Sequence, residues 1–417
     1  MDKIQIPEGL HVTSKPVGSK CNLQCKYCFY LEKDTVLKKE KTLMDEETLE
    51  IYIKNYIKSQ STPVVEFVWH GGEPLLSGLD FFKKAIEIQK KYGTFKDIKN
   101  SLQTNGILLD EKWGRFLKKN KFIVGISLDG PKDLHDKYRV TNNDEGSFKE
   151  TLAGIKILQK YEIEYNVLVC VTNEACTRGV EIYDFLKSEG IEYIQFTPLI
   201  ERVPTENEEE IGYRLGVPQI LESKENVQVT EWSVLPELYG QFLIDIYEKW
   251  VREDVNKIFV MNFEAHLTQW FGNPSPNCIH ARQCGKALVI ESDGLVYACD
   301  HYVYKEHEIG DISKELLKDM SRESIKHGFG REKEEKLTKK CKECPALMYC
   351  WGGCPKHRFV NIEGEEFGHN YMCEGYKMFL NHIQKYLRGM GELLSNGYPA
   401  SYIMEAVKGP LILLKKQ

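Results

Sequence analysis

Six short β-like segments, each handing over to an amphipathic helix, set the tightest limit on how this chain can fold. They run His11 to Val17, Val64 to Trp69, Ile98 to Gln103, Phe122 to Ser127, Glu164 to Val171 and Tyr193 to Pro198. The stretches between carry apolar residues at helical spacing, as in Leu49, Tyr52, Ile53, Tyr56 and Ile57, and several stop at glycine, at Gly93 and Gly190. Alternation of this kind specifies parallel strands covered by helices, an α/β fold in the form of a partial (β/α)6 TIM-like barrel. The distinctive sequences sit directly after the strands: a cysteine loop, Gly71-Gly72-Glu73-Pro74, Gln103-Thr104-Asn105-Gly106 and Ser127-Leu128-Asp129-Gly130. Barrel enzymes keep their chemistry at that end.

After the sixth segment, Glu201 to Glu231 is acidic and poor in apolar periodicity, which marks a surface excursion. A strong helix begins near Ser233, with Leu238, Phe242, Ile246, Trp250 and Tyr239, Leu243, Tyr247, Val251 in two rows, so it packs on more than one side. From about Asn277 the chain is rich in cysteine and glycine with little regular pattern, as expected of a region that needs metal to fold.

The length of 417 residues allows two or three domains, and 56 basic against 62 acidic residues leave a net charge of −6, no general attraction for nucleic acid or anionic lipid. Residues Met1 to Glu8 lack the apolar core of a secretory signal, and no stretch approaches a membrane span, so a cytoplasmic protein is expected. There thiols stay reduced, so the 13 cysteines are not expected to form disulfides, and their clustered spacing is that of metal ligands.

Cys21, Cys25 and Cys28 supply three thiolates within eight residues. They suit three irons of a four-iron cube and leave the fourth iron open. An open iron can chelate the amino and carboxylate groups of S-adenosylmethionine, and an electron from the cluster can then cleave the sulfonium to a 5'-deoxyadenosyl radical. The competing reading is a zinc knuckle or buried thiols, but zinc sites usually supply a fourth ligand, which no nearby residue offers.

The run Cys21-Asn22-Leu23-Gln24-Cys25-Lys26-Tyr27-Cys28 resembles the radical S-adenosylmethionine signature, and Gly71-Gly72-Glu73-Pro74 resembles the glycine turn of that superfamily. By resemblance Tyr27, Gly72, Ser127, Arg139 and Leu199 line the cofactor, with Ser127 and Arg139 suited to its carboxylate; the plain alternative for Arg139 is a solvated surface cation. Cys341-x2-Cys344-x5-Cys350-x3-Cys354, followed by Cys373, resembles a cysteine-rich SPASM domain holding two auxiliary iron-sulfur clusters. The resemblance implies a crossed pattern. Cys278, Cys284, Cys299 and Cys354 would hold one cluster and Cys341, Cys344, Cys350 and Cys373 the other, three [4Fe-4S] clusters in all. A zinc ribbon on Cys341 and Cys344 is the alternative, whereas Cys170 and Cys176 read as ordinary core or loop thiols.

Lys15-Pro16-Val17-Gly18, Trp69-His70-Gly71-Gly72-Glu73-Pro74-Leu75, Ser101 to Gly106, Gln195 to Leu199, Gln283 to Lys286 and Gly353 to Phe359 together resemble the anaerobic sulfatase-maturating enzymes. That family implies oxidation of a cysteine or serine, in an unfolded Cys/Ser-x-Pro-x-Arg segment of a sulfatase, to Cα-formylglycine. It also implies a low-potential electron donor of flavodoxin or ferredoxin type. Asp300, next to Cys299, is the candidate base for the substrate thiol or hydroxyl, although an Asp in a turn often only caps it. A maturase that crosslinks other ribosomal peptides and a non-catalytic electron carrier are the other readings. The expected division is 1–232 for the barrel, 233–382 for the linking helix and SPASM domain, and 383–417 for an appendage without assigned role.

Overall fold

The computed structural model describes residues 9–39, 41–218 and 227–408. Residues 1–8, part of the acidic excursion and the end of the tail therefore lie outside the described residues. The six expected strands are present as β1 (His11–Ser14), β2 (Val64–Trp69), β3 (Asp97–Thr104), β4 (Ile123–Ser127), β5 (Tyr165–Val171) and β6 (Tyr193–Pro198), all parallel and in that order. Alternation gives each strand two faces. On β2 the fully buried Val65, Phe67 and Trp69 point at the helices, where Phe67 and Trp69 meet Tyr52 edge-on and Trp69 meets Phe82. Helix Glu46–Ser59 begins at Asp45, whose carboxylate accepts from Thr48 N at 2.8 Å.

The cysteine-rich region is more regular than its sequence suggests. Three of its segments, β8 (Ala287–Ile290), β9 (Leu295–Tyr297) and β10 (Glu308–Asp311), extend the barrel sheet beyond β1, and β7 (Phe259–Val260) extends it beyond β6. β8 pairs parallel with β1, placing Ser14 opposite Ile290, and β9 turns back antiparallel. Strands of three or four residues leave almost no periodic signal; the exposed edge of β1 supplies the pairing that stabilises them.

The linking helix is Pro236–Glu253, started by proline at its first turn. It packs against helix Cys373–Ser395, which runs without interruption through the 382/383 position expected to end the metal domain. Tyr247 meets Phe379 and Tyr386, and the crossing is closest at glycine, where a Cβ on Gly375 would lie 2.0 Å from Pro236 O. Beyond 382, Ile383, Tyr386, Leu387 and Met390 are all buried in the main core. The described part of the presumed appendage is therefore a structural element, because the linking helix needs an apolar partner along its second row. The acidic excursion folds back on itself: Arg202 bridges to Val229, and Thr205 caps the short helix Glu206–Glu210.

Candidate active site

The cysteine loop leaves β1 through Lys15-Pro16-Val17-Gly18 and is stitched to the turn after β2. Gly72 N donates to Gly18 O at 2.8 Å and Glu73 N to Lys20 O at 2.9 Å. A Cβ on Gly72 would lie 2.0 Å from Lys20 O, so only glycine lets this turn approach the backbone ahead of Cys21. Glu73 is fully buried and accepts from Thr104 Oγ1 and Asn105 N after β3. Burial pushes its carboxyl up to about 7 against the pull of those donors. Asn105 Nδ2 in turn donates to Asn22 Oδ1 at 2.8 Å and lies 3.8 Å from Cys21 Sγ. Three post-strand turns are thus fixed to one another around the cysteines.

Leu23, Cys25, Tyr27 and Leu199 form one buried cluster, with Cys21, Cys28, Tyr138, Cys170 and Trp232 packed on it. Arg139 is buried, not a surface cation: its Nε donates to Asp129 Oδ2 at 3.0 Å, and Tyr27 OH donates to the same oxygen. Its two other nitrogens point at thiols, Nη1 4.0 Å from Cys25 Sγ and Nη2 3.6 Å from Cys170 Sγ. Asp129 orients this whole group and also accepts from Cys170 N at 3.0 Å. Sequence reading singled out its segment and missed its role. Cys170, read as an ordinary thiol, lies at the site; Cys176 is a buried core residue. Ser127 accepts from Gln103 Nε2 at 3.3 Å, above Gly125.

Asp300 follows the β8–β9 hairpin and forms an ion pair with Lys15, which follows β1. The Lys15 side chain is 1% exposed, and its ammonium lies 3.4 Å above the centre of the Tyr30 ring. Tyr30 OH donates to Glu291, which also pairs with Lys39 at 2.6 Å. A third of the Asp300 side chain remains open. Burial by itself would raise its carboxyl, but Lys15, His70 and His301 hold it well below the usual carboxylate range. Lys15 is the partner that the sequence did not reveal, since nothing local joins positions so far apart.

The late cysteines surround two cavities. Cys278, Cys284, Cys299 and Cys354 line one, with His301 and Lys333; Cys341, Cys344, Cys350 and Cys373 line the other, of about 190 Å³, with His369. The first cavity is smaller, about 50 Å³. Among the described residues no three His, Cys, Asp or Glu side chains converge on a single-ion position. Burial pushes the Cys354 thiol up to about 12 and the Cys21 thiol up to about 11, so metal loading must displace protons.

Residues 16–187 match the model of the radical SAM superfamily and residues 278–345 that of an iron-sulfur cluster-binding domain. The chain is 40% identical to a serine-type anaerobic sulfatase-maturating enzyme of Bacteroides thetaiotaomicron, over 96% of this chain and 95% of that protein. The chain belongs to the anaerobic sulfatase-maturating enzymes. It is 32% identical to a cysteine-type member from Clostridium perfringens, over 89% of this chain and 96% of that protein. Among solved structures it resembles native anSMEcpe with bound AdoMet and the Cp18Cys peptide, at a TM-score of 0.79 and 30% identity, covering 92% of this chain and 99% of that one.

The groups that this family implies fit the residues present. An iron-sulfur cluster and S-adenosylmethionine meet a three-thiol loop, a turn whose glycine has no room for a side chain and a buried guanidinium, and further clusters meet two thiol-lined cavities. No helix among the described residues is long and apolar enough to cross a membrane.

Proposed function

We propose that this sulfatase-maturating enzyme oxidises a cysteine or serine in an unfolded Cys/Ser-x-Pro-x-Arg segment of a sulfatase to Cα-formylglycine. The reading is carried by one juxtaposition: Asp300, next in sequence to Cys299, is held by Lys15, which lies on the loop that leads from β1 to Cys21. Cys21, Cys25 and Cys28 hold the cleaving cluster, and Tyr27, Gly72, Ser127, Arg139 and Leu199 line the cofactor. S-adenosylmethionine, when bound, would supply a 5'-deoxyadenosyl radical able to remove a hydrogen atom from the substrate Cβ.

Asp300 takes the proton of the substrate thiol or hydroxyl, completing loss of two hydrogens. Clusters held by Cys278, Cys284, Cys299 and Cys354 and by Cys341, Cys344, Cys350 and Cys373 would supply the acceptor for the remaining electron. Serine then yields the aldehyde directly, whereas cysteine yields a thioaldehyde that water converts with release of hydrogen sulfide. Three [4Fe-4S] clusters, a flavodoxin- or ferredoxin-like donor and a cytoplasmic setting complete the reading. Relatives at 40% and 36% identity are serine-type and those at 32% cysteine-type, which favours serine as an accepted substrate.

The test is anaerobic turnover of the reconstituted enzyme with S-adenosylmethionine, reductant and paired Cys-x-Pro-x-Arg and Ser-x-Pro-x-Arg peptides, following peptide mass and 5'-deoxyadenosine. Aldehyde from the serine peptide is the expected result. Deoxyadenosine with neither peptide changed overturns the assignment of substrate.

A further inference from the structure

Two cations lie fully inside the cysteine-rich region, and no carboxylate forms an ion pair with either among the described residues. Lys333 and Arg358 are each 1% exposed. The Lys333 ammonium uses its donors on backbone carbonyls of the first cysteine loop: Cys278 O at 2.7 Å, Ile279 O at 2.9 Å and Ala281 O at 2.5 Å. The Arg358 guanidinium donates to Lys333 O at 2.7 Å, Trp351 O at 2.8 Å and Gly352 O at 2.9 Å. The backbone between Cys350 and Cys354 is bent to receive it. Trp351, Gly352 and Gly353 have φ of 47°, 67° and 62°, and a Cβ on Gly352 would lie 2.6 Å from Arg358 Nη2. Three successive left-handed residues, one of them tryptophan, mark a turn held by its surroundings.

Carbonyls satisfy hydrogen bonds but carry no net charge, and a buried cation without a counter-charge is strongly unfavourable. Lys333 lines the cavity of Cys278, Cys284, Cys299 and Cys354, and Arg358 holds the Trp351–Gly352 turn that leads from Cys350 of the second set to Cys354 of the first, with Gly352 itself lining the second cavity. We infer that Lys333 and Arg358 are a shared counter-charge between the two auxiliary clusters, raising the reduction potentials of both so that they accept the electron released by the oxidised substrate. A cluster with four thiolate ligands is anionic and gains further negative charge on reduction, so a fixed neighbouring cation favours the reduced form. The inference rests on the reading that both cysteine sets hold [4Fe-4S] clusters.

The experiment is a reductive titration of the reconstituted holoenzyme followed by electron paramagnetic resonance, with iron counted per chain. It compares wild type with Lys333→Met, Arg358→Met, Lys333→Arg and Arg358→Lys. The methionine variants should shift auxiliary potentials to more negative values, Lys333→Met most at the cluster of Cys278 and Arg358→Met at both. The charge-keeping variants should stay near wild type, and the cluster of Cys21, Cys25 and Cys28 should not move. Where a methionine variant loses auxiliary iron while its charge-keeping counterpart retains it, the charge is what the clusters require, which also supports the inference. Unmoved potentials with full iron, equal shifts in charge-keeping and neutral variants, or equal iron loss in both overturn it. About four irons per chain in wild type would instead sink the three-cluster reading on which it stands.

Discussion

Lys15 and Asp300 form an ion pair that joins the end of β1 to the end of the β8–β9 hairpin, and with it the barrel to the metal-binding region. The lysine is buried above Tyr30 while the carboxylate stays partly open, so the pair aims Asp300 without sealing it. Lys15→Met should lower peptide oxidation by about tenfold to a hundredfold, the size of a charge-assisted contact of about 1.5–3 kcal/mol. Lys15→Arg should recover most of that loss. Deoxyadenosine formation should persist in both, and equal rates in Lys15→Met and wild type would remove Lys15 from the chemistry.

Asp300→Asn keeps the shape of the carboxylate and removes its basicity. Peptide oxidation should fall by about 10²–10⁴-fold, the range of a positioned general base, with cofactor cleavage retained. The ratio of deoxyadenosine to aldehyde is the number to measure, because a damaged cofactor site would lower both.

Gly72→Ala places a methyl group 2.0 Å from Lys20 O, in backbone that cannot swing aside. The cluster proposed at Cys21, Cys25 and Cys28 should be lost while the late cysteines keep their iron, and with the three clusters proposed the total should fall from about twelve to about eight per chain. Retention of twelve irons with normal cofactor cleavage would show that the loop tolerates the displacement.

Glu248 on helix Pro236–Glu253 ties down helix Cys373–Ser395 through His382 and Tyr386. Burial opposes its charge, but hydrogen bonds from Tyr386, His382 and Arg252 hold its carboxyl down, from an ordinary 4.5 to about 2. A depressed carboxylate stabilises the fold above its unfolded value and stops doing so as pH falls through its folded one. Glu248→Gln should therefore melt below wild type at pH 6, with the gap closing between about 4.5 and about 2. Running both proteins over one pH series cancels acid loss of clusters, and a constant gap would refute the assignment.

Ile383 is fully buried just past the expected domain edge. Ile383→Ala should cost about 2–5 kcal/mol, as large-to-small changes in a packed core do. Denaturant unfolding measures it, and a change under about 0.5 kcal/mol would fit a detachable tail instead.

The six strands were legible because each is a short apolar run alternating with an amphipathic helix, and most are closed by a turn that glycine or asparagine marks. The three-cysteine loop could be singled out because Cys21, Cys25 and Cys28 lie close in sequence, and Asp300 could be nominated because it adjoins Cys299. Lys15, Asp129, Lys333 and Arg358 could not. Each is an unremarkable charge in its own segment, and its meaning depends on a partner brought from a distant turn.

Local order and local chemistry, then, belong to the sequence: strand periodicity, capping, the cysteine spacing and the small turn at Gly72. The tertiary structure decided which strands would accept β8 at their edge, that Ile383, Tyr386, Leu387 and Met390 are core, and which cysteines share a cavity. The physical reason is that pairing of sheet edges, burial of a helix face and neutralisation of a buried charge are all long-range terms, set by what lies opposite a residue in space rather than by what lies beside it in the chain.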